Sequence, residues 1–190
     1  KEREWLSGFT GSQGTLIVTQ EEAGLWTDGR YFLQAEEELS DSQITLYKDG
    51  IKDVMTITEY LKYTLNDHMV LGYDARTVST HLGEKIKNSL KDLNIKYKTD
   101  LDLVDRIWFN RPQFPHKPIW LLDVEFAGKT REEKLAQLRE TFDENDVSAV
   151  LISSLDDIAW LYNIRGNDVL YTPVAMAYTL VTDIGATLYI

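Results

Sequence analysis

The chain of 190 residues contains no cysteine, which excludes disulfide bonds, thiol catalysis and thiolate metal sites together. Only three histidines are present, His68, His81 and His116, and no two of them stand at the spacing of metal ligands. The H-E-x-x-H signature of metalloproteases is also missing. We therefore predict no metal site within this sequence, and the missing cysteines favour a cytosolic protein.

Long hydrophobic runs and an excess of positive charge are missing as well. The longest apolar stretches have about six residues, far below the roughly 20 that span a bilayer. Lys and Arg number 20 against 31 Asp and Glu, which gives a net charge of −11. Because the phosphates of a nucleic acid would be repelled, we expect neither a nucleic acid nor a membrane as partner.

Proline is scarce, and three of the four prolines fall within residues 111–118. Because proline lacks a backbone N–H and restricts the residue before it, regular structure should not cross this stretch. We predict a first domain over residues 1–111, a semi-rigid linker over residues 112–118 and a second domain over residues 119–190.

One sequence pattern occurs twice in the chain. Trp5-Leu6 and Trp160-Leu161 open the two copies, and in each copy a glycine-containing loop leads to a β-rich run that ends at Thr19 or Thr182. A separation of 155 residues between Trp5 and Trp160 is too long for a solenoid repeat, so the pattern indicates two related domains in tandem. Two similar domains would both be truncated here, the first lacking its opening strand and helix and the second its C-terminal part.

Strand and helix patterns alternate along both halves, which predicts an α/β architecture. Residues 14–19 and 24–27 are typical of a hairpin, and the Thr-x-x-Glu pattern at 130–133 of a capping box that begins a helix. Residues 69–72 and 147–152 are apolar and β-rich, and we expect both to be buried strands, the second covered on both faces.

Two arginines are candidate binding residues. Arg30 follows Asp28 in what we expect to be the first turn of a helix, where a cation opposes the helix dipole unless it has a partner. That partner is either an acidic group of the same domain or a carboxylate of a substrate or neighbouring subunit. Arg165 precedes Gly166 in a polar loop, where it is either an exposed charge or a ligand for a carboxylate or peptide carbonyl.

The other polar patterns favour structure over catalysis. The adjacent Asp156 and Asp157 precede an apolar helical run and are typical of a helix N-terminus. Glycines at positions 8, 11 and 14 do not match the G-x-G-x-x-G fingerprint, and the loop lacks the lysine of a P-loop. No nucleophile–base pair or complete metal shell is recognisable, so the sequence taken by itself predicts a scaffold with binding loops.

Several motifs carry a family resemblance. They are WLSGFTGS at residues 5–12, GLWTDGRYFLQA at 24–35, GYDA at 72–75 and DDIAWLYNIRGND at 156–168. Together they resemble the two N-terminal domains of the three-domain Xaa-Pro aminopeptidases (aminopeptidase P), and the resemblance covers nearly the whole chain.

The resemblance implies two tandem creatinase/prolidase N-terminal domains, each an α/β fold of RNase H-like topology with helices on both faces of a mixed sheet. The complete enzyme would remove the N-terminal residue from peptides with proline in second position. A two-metal centre, commonly manganese, would be held by two Asp, one His and two Glu in a C-terminal domain that this sequence does not include. This region would then be non-catalytic, shape the access of proline-containing peptides and support a homodimer in the cytoplasm, with Arg30 and Arg165 approaching the substrate.

Two alternatives stay open at this point. Prolidase and creatinase are relatives that carry only one such N-terminal domain, which the tandem pattern disfavours. A catalytically inactive binding module, similar to the N-terminal region of a histone chaperone, would suit the acidic charge, but the aminopeptidase motifs disfavour it. Whether a metal-binding domain follows Ile190 would decide between the peptidase and the inactive binding module.

Overall fold

The protein forms two compact units, Lys1–Arg111 and Pro112–Ile190, in a computed structural model that describes residues 2–190 apart from the side chain of Asp143. Residues 112–118, the stretch in which three of the four prolines lie, contain no helix or strand. The lack of regular structure follows from the missing proline N–H groups and the restricted residues before them.

The first unit alternates helices and strands. Its elements are α1 (Glu2–Ser7), β1 (Thr15–Val18), β2 (Ala23–Thr27), α2 (Phe32–Glu38), β3 (Ile44–Lys48), α3 (Ile57–Thr64), β4 (Val70–Gly72), α4 (Thr80–Ser89) and β5 (Lys96–Lys98). Strands β1, β2 and β3 form a mixed sheet in that order, with β1 antiparallel and β3 parallel to β2. Strands β4 and β5 form a separate parallel pair.

Two apolar clusters hold the first unit together. Phe9, Leu25 and Ala35 are fully buried between the three-stranded sheet and α2. Leu61 of α3 and Ile86 of α4 belong to the second cluster, which joins these two helices. Each helix begins at a side-chain cap, Thr56 with Glu59 for α3 and Ser79 for α4, because these oxygens satisfy backbone N–H groups that the helix itself leaves unpaired.

The second unit has the same alternation. Its elements are β6 (Trp120–Leu121), α5 (Val124–Ala127), α6 (Arg131–Asn145), β7 (Ala149–Ile152), α7 (Leu155–Leu161), β8 (Ile164–Arg165), β9 (Tyr178–Thr182) and β10 (Ala186–Tyr189). Strand β9 lies between β10 and β7 in an antiparallel sheet, and β6 pairs with β8. The core contains Phe142, Ile158 and Val181, and the predicted capping box of Thr130 and Glu133 is present at the start of α6.

The repeated sequence pattern corresponds to a repeated structure. Trp5-Leu6 lies in α1 and Trp160-Leu161 lies in α7. An antiparallel hairpin comes later in each unit: β1–β2 follows α1 after a loop, and β9–β10 follows α7 after β8 and a loop. The two copies are thus local structural equivalents, because the same apolar spacing produces the same helix and hairpin in each unit.

The expected burial of two strands is wrong. Val70 in β4 is 49% exposed and Leu151 in β7 is 67% exposed. Within the described residues β4 pairs only with β5, and β7 lies at one edge of its sheet. Neighbouring side chains of both strands alternate between partly buried and exposed, because successive residues of a strand point to opposite faces and only one face packs on the core. A short apolar run does not by itself distinguish a strand with one covered face from a strand with two.

Candidate functional site

The turn before α2 positions Arg30. Its Nε lies 3.0 Å from Asp28 Oδ1 and its Nη2 lies 2.8 Å from Asp28 Oδ2, so the two side chains form a bidentate ion pair. The backbone N–H of Arg30 also donates to Asp28 Oδ1 at 3.1 Å. These hydrogen bonds from the Arg30 side chain and backbone hold the pKa of Asp28 below its ordinary value.

The structure corrects the predicted position of Arg30 in a helix. Helix α2 begins at Phe32 with Tyr31 as its N-cap residue, so Arg30 precedes the helix and is not in its first turn. Asp28 forms a local turn through its carboxylate and its carbonyl, the latter accepting from Tyr31 N at 3.0 Å. Asx turns of this kind compete with helix formation and delay its start.

A glycine-containing loop, residues 8–14, lies beside this turn. Ser12 Oγ and Tyr31 Oη are 2.6 Å apart, and the guanidinium of Arg30 lies 5.2 Å from the centre of the Tyr31 ring. At the other side of the loop, Thr10 donates to the Glu38 carboxylate through both its backbone N–H and its hydroxyl. The loop is thus tied to both ends of α2, next to the turn that carries Arg30.

The interior of this loop requires glycine at position 11. A Cβ there would overlap the ring of the fully buried Phe9. Arg3 reaches the loop from α1, donating to the carbonyls of Gly11 and Gly14, and its guanidinium lies 5.2 Å from the centre of the Phe9 ring. The glycines therefore permit the loop to pack closely. The sequence had favoured this role over phosphate binding, because their spacing does not match a phosphate-binding loop.

In the second unit, Arg165 is the last residue of the short strand β8, which begins three residues after the end of α7. Its Nη1 donates to the carbonyl of Ala159 at 3.0 Å and to that of Ile164 at 2.8 Å. Ala159 lies in the last turn of α7, where carbonyls lack partners within the helix and cations are favoured. Within residues 2–190 the Nε and Nη2 groups donate to no protein atom, so the outer edge of the guanidinium is open to a ligand.

The loop after Arg165 is held by Asp168. Its carboxylate accepts hydrogen bonds from Met176 N at 2.9 Å and Lys117 N at 3.0 Å, and these bonds lower the pKa of Asp168. The tip of the loop is a tight turn at Leu170 and Tyr171, with Tyr171 at a φ of 62° and 96% exposed. Sequence reasoning missed this anchoring role, although an acidic residue after Gly and Asn is a common turn signal.

Sequence reasoning also missed Lys134, which is only 2% exposed. Its Nζ donates to the Trp160 carbonyl at 2.8 Å and to Asn163 Oδ1 at 2.6 Å. The available signal was its spacing, because Lys134, Leu138 and Phe142 lie four residues apart on one helical stripe.

No metal-binding cluster is present among the side chains that the structure describes. Among residues 2–190, with the side chain of residue 143 left aside, no group of three or more His, Cys, Asp or Glu side chains is arranged to hold a metal. Arg30 belongs to the first unit and Arg165 to the second, and each is positioned by its own local contacts. No helix in the described part of the chain combines the length and apolar character that crossing a membrane requires.

Comparison with known families follows the division into two units. Residues 1–105 match the family described as Creatinase/Prolidase N-terminal domain, and residues 110–190 match a second family with the same description. The chain belongs to the creatinase/prolidase N-terminal domain family. This membership confirms the fold class and the family resemblance that the repeated motifs indicated.

Relatives of this creatinase/prolidase N-terminal chain are similar along its whole length. It is 41% identical to a probable Xaa-Pro aminopeptidase P of Sordaria macrospora over 192 aligned residues, covering 99% of this chain and 31% of the relative. It is 39% identical to aminopeptidase P1 of Arabidopsis thaliana, covering 100% of this chain and 29% of the relative. The chain therefore spans about a third of the length of the curated relatives it matches.

A solved structure gives the same answer for the fold. The X-prolyl aminopeptidase of Caenorhabditis elegans, described as a cytosolic enzyme with a di-nuclear active site, matches with a TM-score of 0.90 and 36% identity. The match covers 100% of this chain and 31% of that chain.

Proposed function

We propose that this chain is the non-catalytic N-terminal region of a metal-dependent Xaa-Pro aminopeptidase, which removes the residue that precedes proline at the N-terminus of a peptide. One observation carries the proposal: the whole chain, and not one of its domains alone, is similar to proteins with this name. The chain matches two such domains in tandem, whereas prolidase- and creatinase-like relatives carry only one, so the tandem arrangement favours the aminopeptidase.

The catalytic chemistry belongs elsewhere in the proposed enzyme. Because the described side chains supply no metal shell, no catalytic step is assigned to residues of this chain. A di-nuclear centre, with manganese as the proposed metal, would supply a hydroxide and polarise the scissile carbonyl from a separate domain. The description of the Caenorhabditis elegans enzyme as di-nuclear supports two metals and leaves their identity to experiment.

The proposed role of this chain is to shape the approach of the peptide. Arg165 offers two unoccupied donor groups on a fixed strand end, a geometry that suits a carboxylate or a peptide carbonyl. Arg30 is held by Asp28 and exposes its remaining edge beside Tyr31. Both arginines are proposed to contact substrate, either in the same subunit or across a homodimer.

The proposed location is the cytoplasm. Two facts support it: the chain contains no cysteine, and the Caenorhabditis elegans enzyme is described as cytosolic. Fractionation of the source cells, with detection of the protein by antibody, tests this location directly.

The activity is tested on the protein expressed from its complete gene. We expect it to release the first residue from a short peptide with proline in second position and to leave the matched peptide with alanine there intact. A chelator should abolish the activity, and Mn²⁺ should restore it better than Mg²⁺ or Zn²⁺. A protein that binds basic partners but cleaves neither peptide with any metal would instead support the inactive binding module.

A further inference from the structure

Lys134 of α6 is buried in the second unit and has no part in the proposed function so far. An ammonium group this deeply buried is costly unless it is hydrogen-bonded and its charge is balanced. No carboxylate of the described residues lies within ion-pairing distance of Lys134. Its direct partners are neutral oxygens, the Trp160 carbonyl and the Asn163 amide, and Nζ lies over the Trp160 ring, 4.5 Å from its centre.

Burial and the nearby positive charges of Arg165 and Lys129 lower the pKa of Lys134, and the end of a helix offsets part of this cost. Trp160 lies in the last turn of α7, where the helix carbonyls concentrate partial negative charge, and its carbonyl accepts from Asn163 N at 3.4 Å as well as from Lys134. The electron-rich face of the exposed Trp160 ring adds a cation–π attraction. Lys134 of α6 therefore functions as a charged cap for the C-terminal end of α7.

The second partner, Asn163, connects this cap to Arg165. Asn163 lies between α7 and β8 at a φ of 53°, a left-handed backbone conformation that non-glycine residues adopt at some cost. Its side chain is held from both sides, since Oδ1 accepts from Lys134 and Nδ2 donates to the Lys129 carbonyl at 2.9 Å. Its own carbonyl accepts from Leu122 N at 2.7 Å.

Arg165 lies two residues after Asn163, in the same turn, and its side chain returns to the same helix end. The carbonyls of Ala159 and Trp160 are adjacent, and Arg165 binds the first while Lys134 binds the second. Two cations thus share one helix terminus, one buried and one with an open edge. The position of the open edge depends on the turn that Lys134 holds.

We propose that Lys134 is a positioning residue, which fixes the 161–165 turn and so presents the guanidinium of Arg165 to a carboxylate or carbonyl of the substrate. The effect of this positioning on KM rests on the proposed peptidase function. The effect on the conformation of the 161–165 turn does not rest on that function, and the two effects are measured separately.

The conformational test uses hydrogen exchange on the complete protein. Lys134→Met keeps the length and packing of the side chain but removes the charge and the donors. We expect amides 161–168 to exchange roughly tenfold faster, because the turn opens locally. Arg139→Met is the matched control, since Arg139 lies in the same helix and also donates to a distant carbonyl, that of Thr182 at 2.8 Å.

The kinetic test separates binding from chemistry. With an Xaa-Pro peptide, Lys134→Met should raise KM by roughly tenfold and change kcat by less than about twofold, as expected when an interaction common to ground and transition states is lost. Combining Lys134→Met with Arg165→Ala should raise KM no further than Arg165→Ala alone, because both changes act through one contact.

A second variant protects the test against misfolding. Asn163→Gly keeps the left-handed backbone conformation available but removes the amide that Lys134 binds. We expect it to reproduce both the local exchange and the increase in KM.

Three results would overturn the positioning role: unchanged exchange at 161–168, faster exchange spread evenly over the second unit, or an unchanged KM when Arg165→Ala raises it. A wild-type protein without peptidase activity would contradict the proposed function alone, since the exchange measurement still decides whether Lys134 holds the turn.

Discussion

Arg30 and Arg165 differ in how many of their guanidinium nitrogens are used in hydrogen bonds within the protein. The Nε and Nη2 groups of Arg30 donate to Asp28, which is two residues away, so the orientation of the Arg30 side chain is set by the local sequence. Only the Nη1 group of Arg165 donates to carbonyls of the protein, and its Nε and Nη2 groups stay available to a ligand. A bidentate ligand therefore has better access to Arg165, because no internal ion pair must first be broken.

We expect Arg165→Ala in the complete enzyme to raise KM for Xaa-Pro peptides by roughly tenfold, the equivalent of about 1.4 kcal/mol of lost binding, with little change in kcat. Steady-state kinetics measures both parameters. Arg139→Ala serves as the control for loss of an arginine that binds only a carbonyl of its own unit. Unchanged kinetics in the Arg165 variant would remove Arg165 from the substrate site.

At the scale of elements, ion pairs join the two ends of the first unit. Arg111 donates to Asp102 at 2.6 Å and to Glu2 of α1, and Asp102 also accepts from Arg76 at 3.1 Å. Beside them, Trp5 of α1 stacks on Trp108 with ring centres 4.9 Å apart. The segment 102–111, which forms no helix or strand, is thus attached to α1 by charge and by aromatic packing.

This attachment should weaken in acid. The hydrogen bond from Arg111, followed by that from the Asp105 backbone, lowers the pKa of Asp102 below its ordinary value. A carboxyl whose pKa is lower in the folded state stabilises the fold above its unfolded pKa, and this stability is lost as pH falls through the folded pKa. The relevant window for Asp102 lies below about pH 4.

We therefore expect Asp102→Asn to lower the urea midpoint of unfolding near pH 6, whereas near pH 3 or below the variant and the wild type should approach each other. Asp105→Asn is the matched control, because Asp105 is more exposed and lies 3.5 Å from Arg111. Parallel urea titrations at several pH values measure the difference. A gap between variant and wild type that stays constant down to pH 2 would contradict the role of the Asp102 charge.

At the scale of the whole molecule, large apolar side chains remain exposed in both units. Leu33, Phe109, Tyr171 and Ile184 are among the most exposed of them. Another domain or a second subunit of the complete protein would remove such side chains from water. We propose that the complete protein is a homodimer, consistent with the expectation that the family resemblance raised.

Light scattering after size-exclusion chromatography should give twice the mass of one complete subunit over a wide range of concentrations. Raising the salt concentration should leave this mass unchanged if apolar contacts dominate the interface, because salt screens charged contacts only. A monodisperse monomer at all concentrations would contradict the homodimer.

Sequence patterns predicted the local structure of this chain well. The hairpin of β1 and β2, the capping box of α6 and the tandem repeat follow from apolar spacing, turn residues and side-chain caps within a few positions of one another. The predicted burial of Val70 and Leu151 was wrong because the position of a strand within its sheet depends on partners far away in the sequence.

The amino-acid sequence by itself determined the α/β class, the repeated helix and hairpin and the family, because each depends on local spacing or on specific motifs. Only the tertiary structure decided that Lys134 is buried against Asn163, 29 residues away, and that one edge of Arg165 stays open at the end of α7. The physical reason is that burial and hydrogen bonding of a charged side chain depend on which elements pack against it, and that packing is a property of the folded chain as a whole.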